Sequence, residues 1–237
     1  MKVRDGYIVG IFNYCDRWCE ACAFTSRCRV FADVARAEAA LDPNLKAITE
    51  APLLPQDLPP PPPKWMEELI EEMNEAASRP LTEEELRDAQ PKFLPGHAAV
   101  RERAMTYCLA IHHWLRGHNT EHHQPTDPIA VIEWFATLIV GKVHRALTGL
   151  AEFDGDRDFP PDHEGSAKVA IIGVERSLAA WHQLVAAGAI TQEQARPFVD
   201  ELEWLLRRLD EAIPLARGFV RPGFDEPHEV AALQDDE

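Results

Sequence analysis

Apolar side chains recur along most of this chain at helical rather than alternating spacing. Four long segments carry the pattern: His97 to Arg116, Pro128 to Leu150, Ser166 to Ala187 and Gln192 to Ile213. Their lengths and short connections predict an antiparallel four-helix bundle over residues 97–216. The second segment is apolar around most of its circumference, with a narrow polar strip at Glu133, Thr137 and His144, so it should be central. Thr191 with Gln194 reads as a capping box opening the fourth, which Pro197 should kink or restart. Alternating apolar–polar runs bounded by turn signals are not seen, and neither is a strand–helix alternation, so the expected fold class is mainly α.

Towards the amino terminus the pattern is less regular. Tyr7 to Phe12 reads as an extended lead into a cysteine-rich stretch, followed by a helix from Ser26 to Leu41 with Val30, Val34 and Ala37 in helical register. Asp42-Pro43 should stop that helix. Seven prolines lie between Pro52 and Pro63, the last five consecutive; lacking amide donors and fixed in φ, they predict a stiff polyproline strap. Beyond it, Trp65, Met66, Leu69, Ile70 and Met73 form one apolar face over Lys64 to Ser78, and Thr82 with Glu85 caps a further short helix. The expected organisation is therefore a Cys-rich clip and first helix (1–50), a proline-rich linker (51–63), short amphipathic helices (64–96), the bundle (97–216) and an acidic tail (217–237).

Composition narrows the function. With 46% hydrophobic residues in 237, the chain can bury an ordinary core. Forty acidic against 24 basic residues give a net charge of −16, a field that repels phosphate backbones and anionic lipid; nucleic acid is not an expected partner, whereas a protein or a small ligand is. The longest apolar stretch, Ile129 to Val140, is interrupted by Glu133 and too short to span a bilayer, so no membrane association and a cytoplasmic location are expected.

Four of the five cysteines fall in one run, CDRWCEACAFTSRC: Cys15, Cys19, Cys22 and Cys28. Four thiolates this close repel one another unless a cation absorbs their charge, and sulfur suits soft or borderline ions. Structural zinc usually draws two short cysteine pairs from separated stretches, and only Cys19-x2-Cys22 makes such a knuckle. Cubane iron–sulfur clusters take several thiolates from one continuous segment, so the compact spacing favours [4Fe–4S], with zinc as the alternative ion. Tyr14, Trp18, Phe24 and Phe31 would give the site an apolar shell, and Cys108 should be a core residue of its helix.

Two local resemblances attach to these cysteines. Cys15-x3-Cys19-x2-Cys22 is similar to the radical S-adenosylmethionine signature, although the strand–helix units of that barrel are missing from the rest of the chain. Cys19-x2-Cys22-x5-Cys28 resembles the three-cysteine clip of Cas4-type and AddB-type nucleases and half of an auxiliary-cluster domain in some radical enzymes; no nuclease carboxylate motif accompanies it. What both imply is that this spacing can hold a cubane cluster.

The bundle offers a second candidate site. Glu133 and His144 on one helix and Glu175 and His182 on the next could meet across it, though the spacings depart from the Glu-x-x-His pairs of di-iron bundles, and an interhelical ion-pair network with Lys168, Arg176 or Arg145 is the simpler expectation. At about 100° per residue, Glu102 and His113 fall on a solvated face, and His112 nears the apolar boundary as a hydrogen-bonded core residue. Three functions follow: a cluster-binding redox or sensing protein, a zinc-stabilised helical interaction module, and a helical metalloenzyme using the Glu/His set.

Overall fold

The computed structural model describes residues 1–41, 93–117, 126–153 and 161–226, with isolated positions at 64, 71–72, 80, 82–84 and 155. The expected polyproline strap, most of the short amphipathic helices, the Thr82–Glu85 cap and most of the acidic tail lie outside the described residues. The chain is mainly helical. Two compact units divide it, residues 1–32 with 92–237, and residues 33–91. The second is described chiefly where α1 (Arg29–Leu41) continues past residue 32, with an exposed Arg36–Asp33 pair at 3.0 Å.

In the first unit, four helices follow the sequence periodicity: α2 (His97–Leu115), α3 (Pro128–Glu152), α4 (Asp162–Ala186) and α5 (Gln192–Ala212). Pairwise packing of α2 on α3, α3 on α4, α4 on α5 and α2 on α5 encloses one core. At its centre Trp181 is stacked on Phe198 with centroids 4.6 Å apart, lies edge-on to Trp114 and points its indole N–H at the Tyr107 hydroxyl, 3.4 Å away. The α3–α4 pairing is the most extensive, consistent with the broad apolar surface of α3. Small residues let it close: a methyl on Gly173 would stand 3.0 Å from Phe135. Cys108 is a buried core residue. None of the helices, among the described residues, is long and apolar enough to cross a membrane.

Local signals set the helix ends. Asp127 accepts from the Ile129 amide, with Pro128 at the first position of α3. The Thr191–Gln194 capping box is formed in both directions, at 2.8 and 3.2 Å. Of the two outcomes expected at Pro197, the restart does not occur: α5 runs through it. The amide that proline lacks would have served the Glu193 carbonyl in the exposed first turn, where water can satisfy it.

The chain start also differs from its reading as a simple extended lead. Strands β1 (Val3–Arg4) and β2 (Tyr7–Ile8) pair antiparallel about Asp5-Gly6, whose φ values of 51° and 79° match the turn that Asp-Gly favours in hairpins. Two-residue strands are too short to show alternation, so the turn dipeptide was the only available signal. The hairpin drops Ile8 and Ile11 into the unit's interior and delivers the chain to the first cysteine.

Candidate metal centre

From Ile11 to Cys28 the chain is a succession of single turns. Short 3-10 turns at Ile11–Asn13, Cys19–Ala21 and Thr25–Arg27 alternate with extended residues, and Cys22 and Cys28 each sit at the end of one, in β conformation. This sequence cannot continue a helix here because Arg17 adopts φ 60°, a left-handed conformation that costs a residue with a Cβ about 1–2 kcal/mol. Arg17 turns the chain between Cys15 and Cys19, and all four thiols come to line one cavity of about 20 Å³. Phe12, Trp18, Phe31 and Phe224 wall it. Of the expected aromatic shell, Trp18 and Phe31 take part; Tyr14 is buried against Phe219 instead, and Phe224 joins the wall with Phe24 against it at 5.1 Å.

All four cysteines are half-buried and reduced. Burial pushes the Cys15 thiol up. Burial also raises Cys19, followed by the charges of Cys15 and Cys22, then Glu20 and Cys28, the mutual repulsion expected of clustered thiolates. The Cys22 sulfur accepts from the Phe24 amide at 3.4 Å, and the Cys15 thiol donates to the Phe12 carbonyl at 3.5 Å. Among the described residues no group of three or more His, Cys, Asp or Glu is already drawn to the spacing a single ion requires. The thiols thus share a cavity without forming a closed tetrahedron.

What holds the clip in place contains no sulfur. Trp18 stacks on Trp134 of α3 at 5.2 Å, and the Trp134 indole N–H donates to the Asp16 carbonyl at 2.9 Å. Lys142, buried on α3, donates to the Asn13 carbonyl at 2.9 Å. Asp16 receives the Trp18 amide on one oxygen, 3.2 Å away, and Arg176 of α4 on the other, at 2.8 Å. Tyr14 seats against Gly165 of α4 and Phe219, and burial, then Asp162, push its hydroxyl up to about 12. The clip therefore shares one unit with the long helices.

The second set of sequence candidates stands in four different surroundings. Glu133 lines a large cavity beside the clip. His144 lies edge-on to Phe93 at 5.7 Å. Glu175 pairs with Arg217 at 2.8 Å on the surface, and His182 is exposed beside the first turns of α5. The three cations expected to serve them instead bind connecting segments or helix ends: Arg176 to Asp16, Arg145 to Asp162 and Lys168 to Asp225. His112 is exposed rather than in the core, 3.4 Å from the Thr137 hydroxyl.

Sequence reasoning missed the fastening residues and Lys142. A signal for the latter exists: two turns after Phe135 it falls on the same buried face of α3, where a lysine is out of place unless it serves a partner. Burial pushes its ammonium pKa down, and the nearby Arg145 adds to the effect. No protein-family model, no curated protein and no solved structure matches this chain.

Proposed function

We propose that the chain is a metalloprotein in which Cys15, Cys19, Cys22 and Cys28 carry a [4Fe–4S] cluster in a redox or sensing role, mounted on an antiparallel bundle of four helices. The observation that carries the reading is the convergence of four thiols from one continuous fourteen-residue run on a single aromatic-walled cavity. Continuous runs of this kind are how cubane clusters are held. The Phe24 amide on the Cys22 sulfur and the surrounding rings are also the features that set a cluster's potential and its exposure to solvent. Anaerobically purified protein should be brown and contain about four iron and four acid-labile sulfide per chain. Colourless protein with one zinc would overturn the reading.

The cavity's volume of about 20 Å³ supports a second reading. A cubane needs more room than that, so the side chains would have to move outwards, whereas one zinc ion would draw them together. On that reading the clip is a zinc-stabilised surface for a protein partner. Metal analysis of the same sample separates the two.

A further inference from the structure

Between the clip and the flanks of α2 and α3 lies a cavity of about 710 Å³, in the size range of small-molecule sites. Trp18, Trp134 and Leu138 supply its apolar wall, and its polar groups are separated along α3. Glu133 marks one end, with Thr137 and His112 beside it; Lys142 and Arg145 mark the other, about 14 and 18 Å away at helical rise, with Arg17 reaching in from the clip. In a protein of net charge −16, a pocket lined by three cations and one carboxylate departs in sign from the chain as a whole.

Those cations are not equally satisfied. Arg145 is matched by both oxygens of Asp162, each at 2.7 Å. Lys142 is only 7% exposed, yet among the described residues its ammonium has a single acceptor, the Asn13 carbonyl, for three donors. Arg17 has no carboxylate partner among the described residues. Gly141 is a separate observation. Glycine weakens a helix interior, and α3 has 25 residues with Gly141 past its midpoint. Packing explains Gly165 and Gly173, where an added Cβ would meet Tyr14 at 2.4 Å and Phe135 at 3.0 Å; at Gly141 nothing lies within 4 Å. The missing side chain there leaves the cavity wide.

We infer that this cavity binds a flat organic anion, an aromatic carboxylate in its simplest form. The ring lies along Trp18, Trp134 and Leu138, the carboxylate meets Lys142 and Arg17, and a polar substituent reaches Glu133. Arg17 and Trp18 also wall the thiol cavity, so the occupant touches the clip's own boundary. That this anion is what the clip senses or acts on rests on the cluster reading; the binding itself does not.

Calorimetric titration of the full-length protein with 2-naphthoate and with 2-naphthamide, equal in shape and different in charge, tests the inference. Naphthoate should bind one site per chain, and naphthamide about tenfold more weakly, because the charge-assisted hydrogen bonds are lost. Arg17→Gln should weaken naphthoate by a similar factor and leave naphthamide unchanged. Gly141→Leu places a side chain in the open space and should reduce naphthoate affinity by at least about tenfold while the melting temperature holds or rises, since leucine favours helix. No saturable naphthoate binding, equal affinity for both probes, or Gly141→Leu binding like wild type would overturn the site. Iron and sulfide measured on the same samples keep the two readings apart: a cluster without binding removes only the pocket, and binding to iron-free protein removes only the cluster.

Discussion

Alanine at Gly165 tests how the clip is fastened, because a single methyl there has nowhere to go. Its Cβ would fall 2.4 Å from two carbons of the Tyr14 ring and 2.8 Å from Phe219, where ordinary contact between carbons is about 3.5–4.0 Å. Both rings must retreat by about an ångström, and both belong to a buried edge-on pair with centroids 4.7 Å apart. Overpacking of this kind costs about 1–3 kcal/mol. Alanine also recovers about 0.5–1 kcal/mol of helix propensity relative to glycine. The net is a loss of up to about 2.5 kcal/mol, centred near about 1 kcal/mol, or roughly 2–4 °C in melting temperature at that centre for a unit of this size. Gly141→Ala is the matched control, since it gains the same propensity with no atom within 4 Å, and should stabilise by about 0.5–1 kcal/mol. Thermal and urea unfolding of the two variants measure the difference in sign. Because Tyr14 precedes Cys15, Gly165→Ala should also speed maleimide labelling of Cys15 in metal-free protein. If both alanines shift stability in the same direction, Tyr14 does not sit against α4 and the fastening argument fails.

Three further outcomes are expected. Asp16→Asn weakens the Arg176 pair, which is half exposed on the arginine side, so stability should fall by only about 0.5–1 kcal/mol while labelling of Cys15 and Cys19 accelerates; unchanged labelling would show that Asp16 does not hold the clip. Asp225 is pulled upwards by burial, but hydrogen bonds from Arg221 and Lys168 outweigh this and hold its carboxyl well below the usual range. Its folded pKa lies below the unfolded value of about 3.9, so its stabilisation is present above that pH and is lost as pH falls towards the folded value. Asp225→Asn should therefore be destabilised at pH 6, with the difference narrowing as pH falls below about 4 and closing only near the folded value; a constant difference between pH 6 and pH 3 would contradict it. Thr191→Ala removes one half of a formed capping box and should cost about 0.5–2 kcal/mol in thermal unfolding, with no change at the clip.

Much of the scaffold was legible because it depends on local rules. The four long helices begin and end within a few residues of their apolar periodicity, and the Thr191–Gln194 box sets one start with no tertiary contact needed. The cysteine run was readable as a run, but an extended stretch of fourteen residues spans about 45 Å, so the turns at Arg17 and at the short 3-10 segments, which periodicity does not reveal, are what bring its cysteines to one cavity. The surroundings of the clip were not readable. Trp134, Lys142, Gly165 and Arg176 act on residues 13 to 18 from more than a hundred positions away, and periodicity assigns them only a helix face. The Glu133, His144, Glu175 and His182 set shows the opposite failure. Shared-edge arguments brought these residues near one another, but tertiary partners claimed two of them, Arg217 taking Glu175 and Phe93 taking His144.

In small zinc domains the metal supplies the folding energy because there is little other core, and chelation unfolds them. Here the clip is tied by an indole stack, two bonds to main-chain carbonyls, one ion pair and a buried tyrosine, while Trp181, Phe135, Ile139 and Leu205 fill a core that no cysteine of the clip enters. Stripping the metal under reducing conditions should therefore leave the far-ultraviolet helical signal and a cooperative melt, with maleimide labelling confined to Cys15, Cys19, Cys22 and Cys28 and sparing buried Cys108. Loss of the cooperative transition would mean that metal–sulfur bonds, not those contacts, hold the unit together. If the transition survives, the fold does not depend on metal–sulfur bonds, and on the proposed cluster reading the four cysteines serve the chemistry of the bound group rather than the stability of the unit.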